Sequence, residues 1–351
     1  MFAKKVILIL VLIFAFVTVS PLFAKPVMYV VTGDSNELIM VDLNTNRIVG
    51  RIGELENAHG LSGHPRSEYL VAGSMSSGQT KVPGKPTAVS KEEHEAHHSI
   101  STNSGVKEQK SAVSIVHPKH GHVMRRVTVA GITHHTAVAP NGRWAAAVHT
   151  QIGKVSIIDL EAMNVTQTIK VGQVPNYAVI DEDGKTIYVS NAGSGNVSVI
   201  QTNHWMVTNT IKVGMGPEHM AISSDGQALF VLNVVEGSVS VVDLASARSI
   251  RTIKVGKSPH GISPSSDGHW LFVSNKGSNS VTRISLNDYT ATTVPLSPAP
   301  YHLEYVTSVD RVYVSSRKKP LIWVLDPETL KVISQIEFKK GVAHQMVVME
   351  E

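Results

Sequence analysis

Three consecutive stretches decide the fold: VGQVPNYAVIDEDGKTIYVSNAGSGNVSVIQ (171–201), VGMGPEHMAISSDGQALFVLNVVEGSVSVVDL (213–244) and VGKSPHGISPSSDGHWLFVSNKGSNSVTRISL (255–286). Each opens with Val-Gly-x-x-Pro, passes through an Asp-Gly and closes on an alternating apolar run. Pro175, Pro217 and Pro259 are spaced 42 residues apart. The unit can be followed outward in both directions. Pro300, Thr133, Ala58 and Ala343 hold the proline slot in further copies, which makes seven starts separated by 41 to 43 residues, except for a first gap of 75. Within the unit starting at 217, four short apolar runs fall at about 218–223, 227–233, 238–243 and 249–255. Asp225-Gly226 provides the hairpin turn between the first two.

Four strands per 42 residues make a propeller blade, and a blade buries both faces only against its neighbours. The chain begins with three strands, 27–32, 37–42 and 47–52, and ends with a lone first strand, 343–349. The reading is therefore an all-β, seven-bladed β-propeller over residues 25–351, in which the C-terminal strand completes the N-terminal blade. The repeat resembles the YVTN family of β-propellers, on the strength of IYVSNAGSGNVSVI (187–200), LFVLNVVEGSVSVVDL (229–244) and LFVSNKGSNSV (271–281). That resemblance implies the fold. It leaves function open, because such propellers occur in surface-layer proteins, periplasmic binding proteins and cofactor domains of reductases.

Two segments lie outside the repeat. Residues 1–24 read as a secretory signal: Lys4 and Lys5, an apolar run over 6–19, Pro21, and Ala24 before the cleavage point. An uncleaved N-terminal anchor is the alternative, and either reading places the folded part in the periplasm or outside the cell. No other apolar run reaches the ~20 residues of a membrane span. The first gap between starts is 33 residues longer than the repeat, and the excess at 75–110 is rich in Gly, Ser, Pro, Lys, Glu and His. It reads as a mobile loop inserted between the second and third strands of one blade.

Composition narrows the function. Among 351 residues, 42% are hydrophobic and 17% charged, which excludes a disordered chain. The net charge of +4 includes two lysines of the signal, and no basic run argues for nucleic acid. The sequence contains no cysteine, so thiolate metal sites, iron–sulfur clusters and covalent c-type haem are excluded. It contains 17 histidines, and their placement is periodic. The two residues after each proline slot are His59-Gly60, His134-His135, Asn176-Tyr177, Glu218-His219, His260-Gly261, Tyr301-His302 and His344-Gln345. Six of seven blades thus place a histidine where a random two-residue window would hold one about a tenth of the time.

First strands of a propeller line its central channel, so His59, His134, His135, His219, His260, His302 and His344 are expected to ring one mouth, with Asn176 in the remaining blade. Adjacent strand residues point to opposite faces, so the expectation is that three or four of them converge. Imidazoles without thiolates favour copper, with zinc as the alternative. His94, His97 and His98 of the inserted loop and His149 at the end of a second strand belong to the same face, and are candidate additional ligands. His117, His120 and His122 surround the opposite face.

The arrangement is similar to the catalytic domain of nitrous oxide reductase, a seven-bladed propeller whose channel-mouth histidines hold a copper–sulfide cluster. The resemblance implies that the seven ring histidines are the counterparts of those ligands. The cysteine-bearing copper domain of that enzyme is missing here, so metal binding or delivery, with a periplasmic electron or metal donor as partner, is the simpler expectation. A second resemblance, to d1-haem propellers, implies a non-covalent haem ligated by one or two ring histidines. A third reading is a monomeric, non-catalytic interaction module. Whether the protein is an enzyme stays open at this stage.

Overall fold

The computed structural model describes residues 26–76 and 110–349. Residues 1–24, read above as a signal, and most of 75–110, with His94, His97 and His98, lie outside the described residues.

Seven four-stranded antiparallel sheets make seven blades. The first is split: Ala343–Met349 pairs with Val27–Thr32, followed by Glu37–Asp42 and Arg47–Ile52. Met28↔Val348 and Val30↔Met346 are in register across the closure. The innermost strands of the next six blades are Ala58–Ser62, Thr136–Val138, Pro175–Ile180, Pro217–Ile222, Pro259–Pro264 and Pro300–Val306. The strands expected at 27–32, 37–42, 47–52 and 343–349 are found at those positions.

The core lies between blades. Ala146, Val148 and Ile157 of the third blade pack against Ala178, Ile187 and Val189 of the fourth in one buried cluster. Val30 and Ile39 of the first pack against Tyr313 and Ile322 of the seventh, which closes the ring by burial as well as by pairing. Outermost strands contribute little: along Asn164–Lys170, Met206–Lys212 and Arg248–Lys254 one residue each, Ile169, Ile211 and Ile253, is buried. Asp225 fixes the first hairpin of the fifth blade, accepting hydrogen bonds from the Ser223 hydroxyl and the Gln227 amide, while Gly226 takes φ +70°.

The feature that builds the site is a bulge repeated in every blade. In the fourth blade Pro175 pairs with Asn191 and Ala178 with Val189, so Asn176 and Tyr177 together oppose Ser190. The same two-against-one pattern places His59-Gly60 opposite Gly73, Glu218-His219 opposite Leu232, His260-Gly261 opposite Ser274, and Tyr301-His302 opposite Ser315. His344-Gln345 face Val31 in the closing strand. In the third blade the His134 amide donates to Val148 O and the Val148 amide to His135 O. A bulge re-aims side chains that plain alternation would send to opposite faces. The two glycines in this window are required by packing: a Cβ on Gly261 would lie 2.4 Å from Leu303 N, and one on Gly60 would lie 2.6 Å from His134 O.

Candidate metal centre

All seven ring histidines come together on the channel axis, and they do so in two tiers. First-position residues His59, His134, Asn176, Glu218, His260 and Tyr301 line a cavity of about 120 Å³ at the mouth. Second-position residues Tyr177, His219, His302 and Gln345 line a smaller cavity of about 30 Å³ further down the channel, with Glu304, Met220 and Met346. The expectation that three or four histidines converge is corrected: alternation divides the set into four upper and three lower residues, but the bulge turns both groups to the axis. His59 contacts His344 at 4.5 Å between ring centroids and His134 at 4.6 Å. In the lower tier His135 lies 4.7 Å from His219, and His219 lies 5.1 Å from His302, both near perpendicular.

Four groups offer three ligand atoms within 4.8 Å of one another: His59–His134–His135, His59–His302–His344, His135–His219–His302 and Glu218–His219–His260. The third is drawn wholly from the lower tier and contains no carboxylate. Tetrahedral ligation at ~2.0 Å sets neighbouring nitrogens about 3.3 Å apart, so small side-chain rotations would close this triad on one ion.

Buried polar atoms without partners occur in both tiers, and every histidine of the lower tier carries at least one. Nε2 of His135, both ring nitrogens of His219 and Nε2 of His302 are buried with no hydrogen-bond partner among the described residues. His135 Nδ1 lies 3.0 Å from the Asn176 carbonyl, to which it donates, and this leaves Nε2 as a lone pair aimed inward. Burial, reinforced by neighbouring positive charge, holds His59, His135, His219, His260 and His302 well below the usual imidazole value. These rings are therefore neutral near pH 7, the form that ligates a metal. Burial pushes Glu218 up to about 7 and Glu304 up to about 8.

His149 is placed elsewhere. It is buried, its Nε2 lies 2.8 Å from Ser156 Oγ, its Nδ1 lies 3.4 Å from Thr133 Oγ1, and burial lowers it to about 4. It occupies the slot that Asn191, Asn233 and Asn275 hold in other blades, where the amide donates to Ser198, Ser240 and Thr282 at 2.9 Å. The sequence carries that signal, since all four partners sit seven residues downstream. His117 and His120 lie 4.1 Å apart between ring centroids, tilted by 47°, on the other face near Tyr69. Two further mouth residues, Lys276 and Arg317, escaped the sequence reading. Their signal is positional: each directly follows a second strand, Trp270–Asn275 or Arg311–Ser316, as do Met75, Thr150 and Ala192 at the same mouth.

Fold and site together define a class: a seven-bladed propeller whose channel is plugged by two tiers of histidine. A family model described as a YNCE-like beta-propeller matches residues 177–267, which span most of the fourth blade, the fifth and the start of the sixth. No curated protein matches the chain. Among solved structures the chain is similar to hydrazine synthase of Kuenenia stuttgartiensis, with TM-score 0.68 and 14% identity over 91% of this chain and 99% of that one. It is also similar to the periplasmic gluconolactonase of Pseudomonas aeruginosa, with TM-score 0.71 and 14% identity over 93% and 99%. Dihydro-heme d1 dehydrogenase NirN, solved in complex with DHE, gives TM-score 0.64 and 13% identity over 90% of this chain and 64% of that protein. At these identities the likeness is one of fold. No helix among the described residues is long and apolar enough to cross a membrane.

Proposed function

We propose that this is an exported propeller that binds a transition metal, copper before zinc, at the histidine tiers, with His135, His219 and His302 as the primary ligands. The observation that carries this reading is the set of buried imidazole nitrogens without partners in the lower tier. Each such atom costs about 1–3 kcal/mol unless something satisfies it. Three neutral imidazoles converging from three blades are a donor set for a borderline ion and a poor one for Mg or Ca. Copper is favoured because divalent copper heads the affinity order for nitrogen sites, and because Met220 and Met346 line the same cavity and suit its reduced state. The upper histidines would complete or exchange the coordination shell toward the mouth. Export rests on residues 1–24, and a periplasmic donor of metal or electrons is the partner this placement implies.

Haem is the weaker reading. The mouth cavity of about 120 Å³ is smaller than the ~300 Å³ at which ligand pockets begin, and the ring centroids around the axis are separated by only 4.2 to 6.3 Å. The test is metal content and absorption of tag-free protein, incubated separately with Cu(II), Zn(II) and haem and then dialysed. Stoichiometric copper retention without a Soret band is expected. A Soret band with no retained metal would replace this reading with the haem one.

A further inference from the structure

The mouth cavity carries two cations that the histidine tiers do not use. Lys276 Nζ lies 5.6 Å from the centre of the Tyr301 ring, and Arg317 Cζ lies 5.6 Å from the same ring. Tyr301 is buried and lies flat on His260, 4.0 Å between centroids and 12° between planes. Glu218 and Lys276 attract each other across the cavity, but neither cation makes a direct ion pair with a carboxylate among the described residues. One acid, Glu218, lines the same cavity, and its Oε2 is 3.9 Å from His260 Nδ1. Among the described residues that line the cavity of about 120 Å³, two cations meet one acid, and partly buried charge of one sign is costly unless a counter-charge meets it.

Two further groups face the same space. His260 Nε2 and Asn176 Oδ1 are buried without hydrogen-bond partners among the described residues, and both residues line the cavity. The two ends of an asparagine amide exchange by a flip, so Asn176 can present a donor as readily as an acceptor. A planar guanidinium and a lysine on one cavity wall make a binding site for a planar anion with two adjacent oxygens, the shape that a guanidinium fork pairs with side by side.

We propose that the mouth cavity binds a small planar oxyanion, held by Arg317 and Lys276, on the solvent side of the histidine tiers. The volume restricts the ligand to a few heavy atoms. Formate and nitrate represent its carboxylate and inorganic forms, and butyrate represents the carboxylate end of a longer molecule. The site needs no metal, so it stands apart from the metal reading.

The experiment is titration of chelator-treated full chain with formate, nitrate and butyrate, read by calorimetry and by the shift in thermal midpoint. Saturable binding of formate or nitrate at one per chain is expected, with butyrate at least tenfold weaker. Arg317→Met and Lys276→Met should each weaken binding about tenfold or more, and Arg317→Lys should fall between wild type and Arg317→Met. Lys254→Met, on an outermost strand, should change nothing. Circular dichroism identifies any variant that fails to fold, and Arg317→Lys keeps the test decisive if a methionine variant does. The proposal is overturned if wild type shows no saturable response, if binding is indifferent to all three substitutions at the mouth, or if butyrate binds as tightly as formate.

Discussion

The two histidine tiers are built from adjacent residues of the same bulges, yet their surroundings differ. The upper tier shares its cavity with Glu218, Asn176, Tyr301, Lys276 and Arg317, and so has polar and charged neighbours. The lower tier, His135, His219 and His302, is buried, faces Met220, Met346 and Glu304, and holds the larger share of imidazole nitrogens without partners. The comparison teaches that adjacent residues of one bulge can face two cavities, one lined by imidazole and thioether and one shared with fixed charges.

The largest effect should come from the lower tier. A His135→Ala, His219→Ala, His302→Ala variant should lose stoichiometric copper or zinc after dialysis while its β-sheet circular dichroism is unchanged. Full metal retention would transfer the binding role to the upper tier.

Next comes pH. The folded tiers resist protonation, whereas the same histidines in the unfolded chain take up protons near pH 6.5. The unfolded state therefore binds more protons below that value. The histidine contribution to the stability of metal-free protein should be complete above about pH 6.5 and decline as pH falls further, by up to about 1.4 kcal/mol per histidine for each pH unit, partly offset by Glu218 and Glu304, whose raised values act with the opposite sign. A thermal midpoint that stays level or rises between pH 7 and pH 5 would contradict the buried, neutral state assigned to these rings.

A smaller effect is expected from the upper tier. His59→Ala with His344→Ala should weaken metal binding by about 10–100-fold, the range for groups that support a ligand set, measured by competition with a chelator of known affinity. Complete loss would erase the distinction between tiers. The smallest effect belongs to His149→Asn, which restores the residue used by three other blades. Metal content should not change, and stability should shift by less than about 1 kcal/mol, because the amide can reach Ser156 as Asn233 reaches Ser240. Loss of metal in that variant would return His149 to the site.

Much of this architecture is legible in the residues. The period of Pro175, Pro217 and Pro259 reports blade number, and the unmatched ends report the closure, because a propeller without it would leave exposed sheet edges. The histidine window is visible for the same reason. What alternation alone misjudges is how many of those histidines meet. The rule that neighbours face opposite ways holds for a regular strand, and these pairs sit in bulges whose register is a property of the paired second strand. His149 carries two signals: proximity to the mouth suggests a ligand, while its spacing to Ser156 matches that of the turn asparagines to their partners. Lys276 and Arg317 were hidden because their importance comes from the channel geometry and from Tyr301, which is distant from Lys276 in sequence.

The most direct measurement is a crystal structure of copper-soaked, tag-free protein with anomalous diffraction collected at the copper edge. The account predicts an anomalous peak on the channel axis within ligating distance of His135, His219 and His302. A peak confined to the His117–His120–His122 cluster, or no peak on the axis at full copper loading, would contradict it.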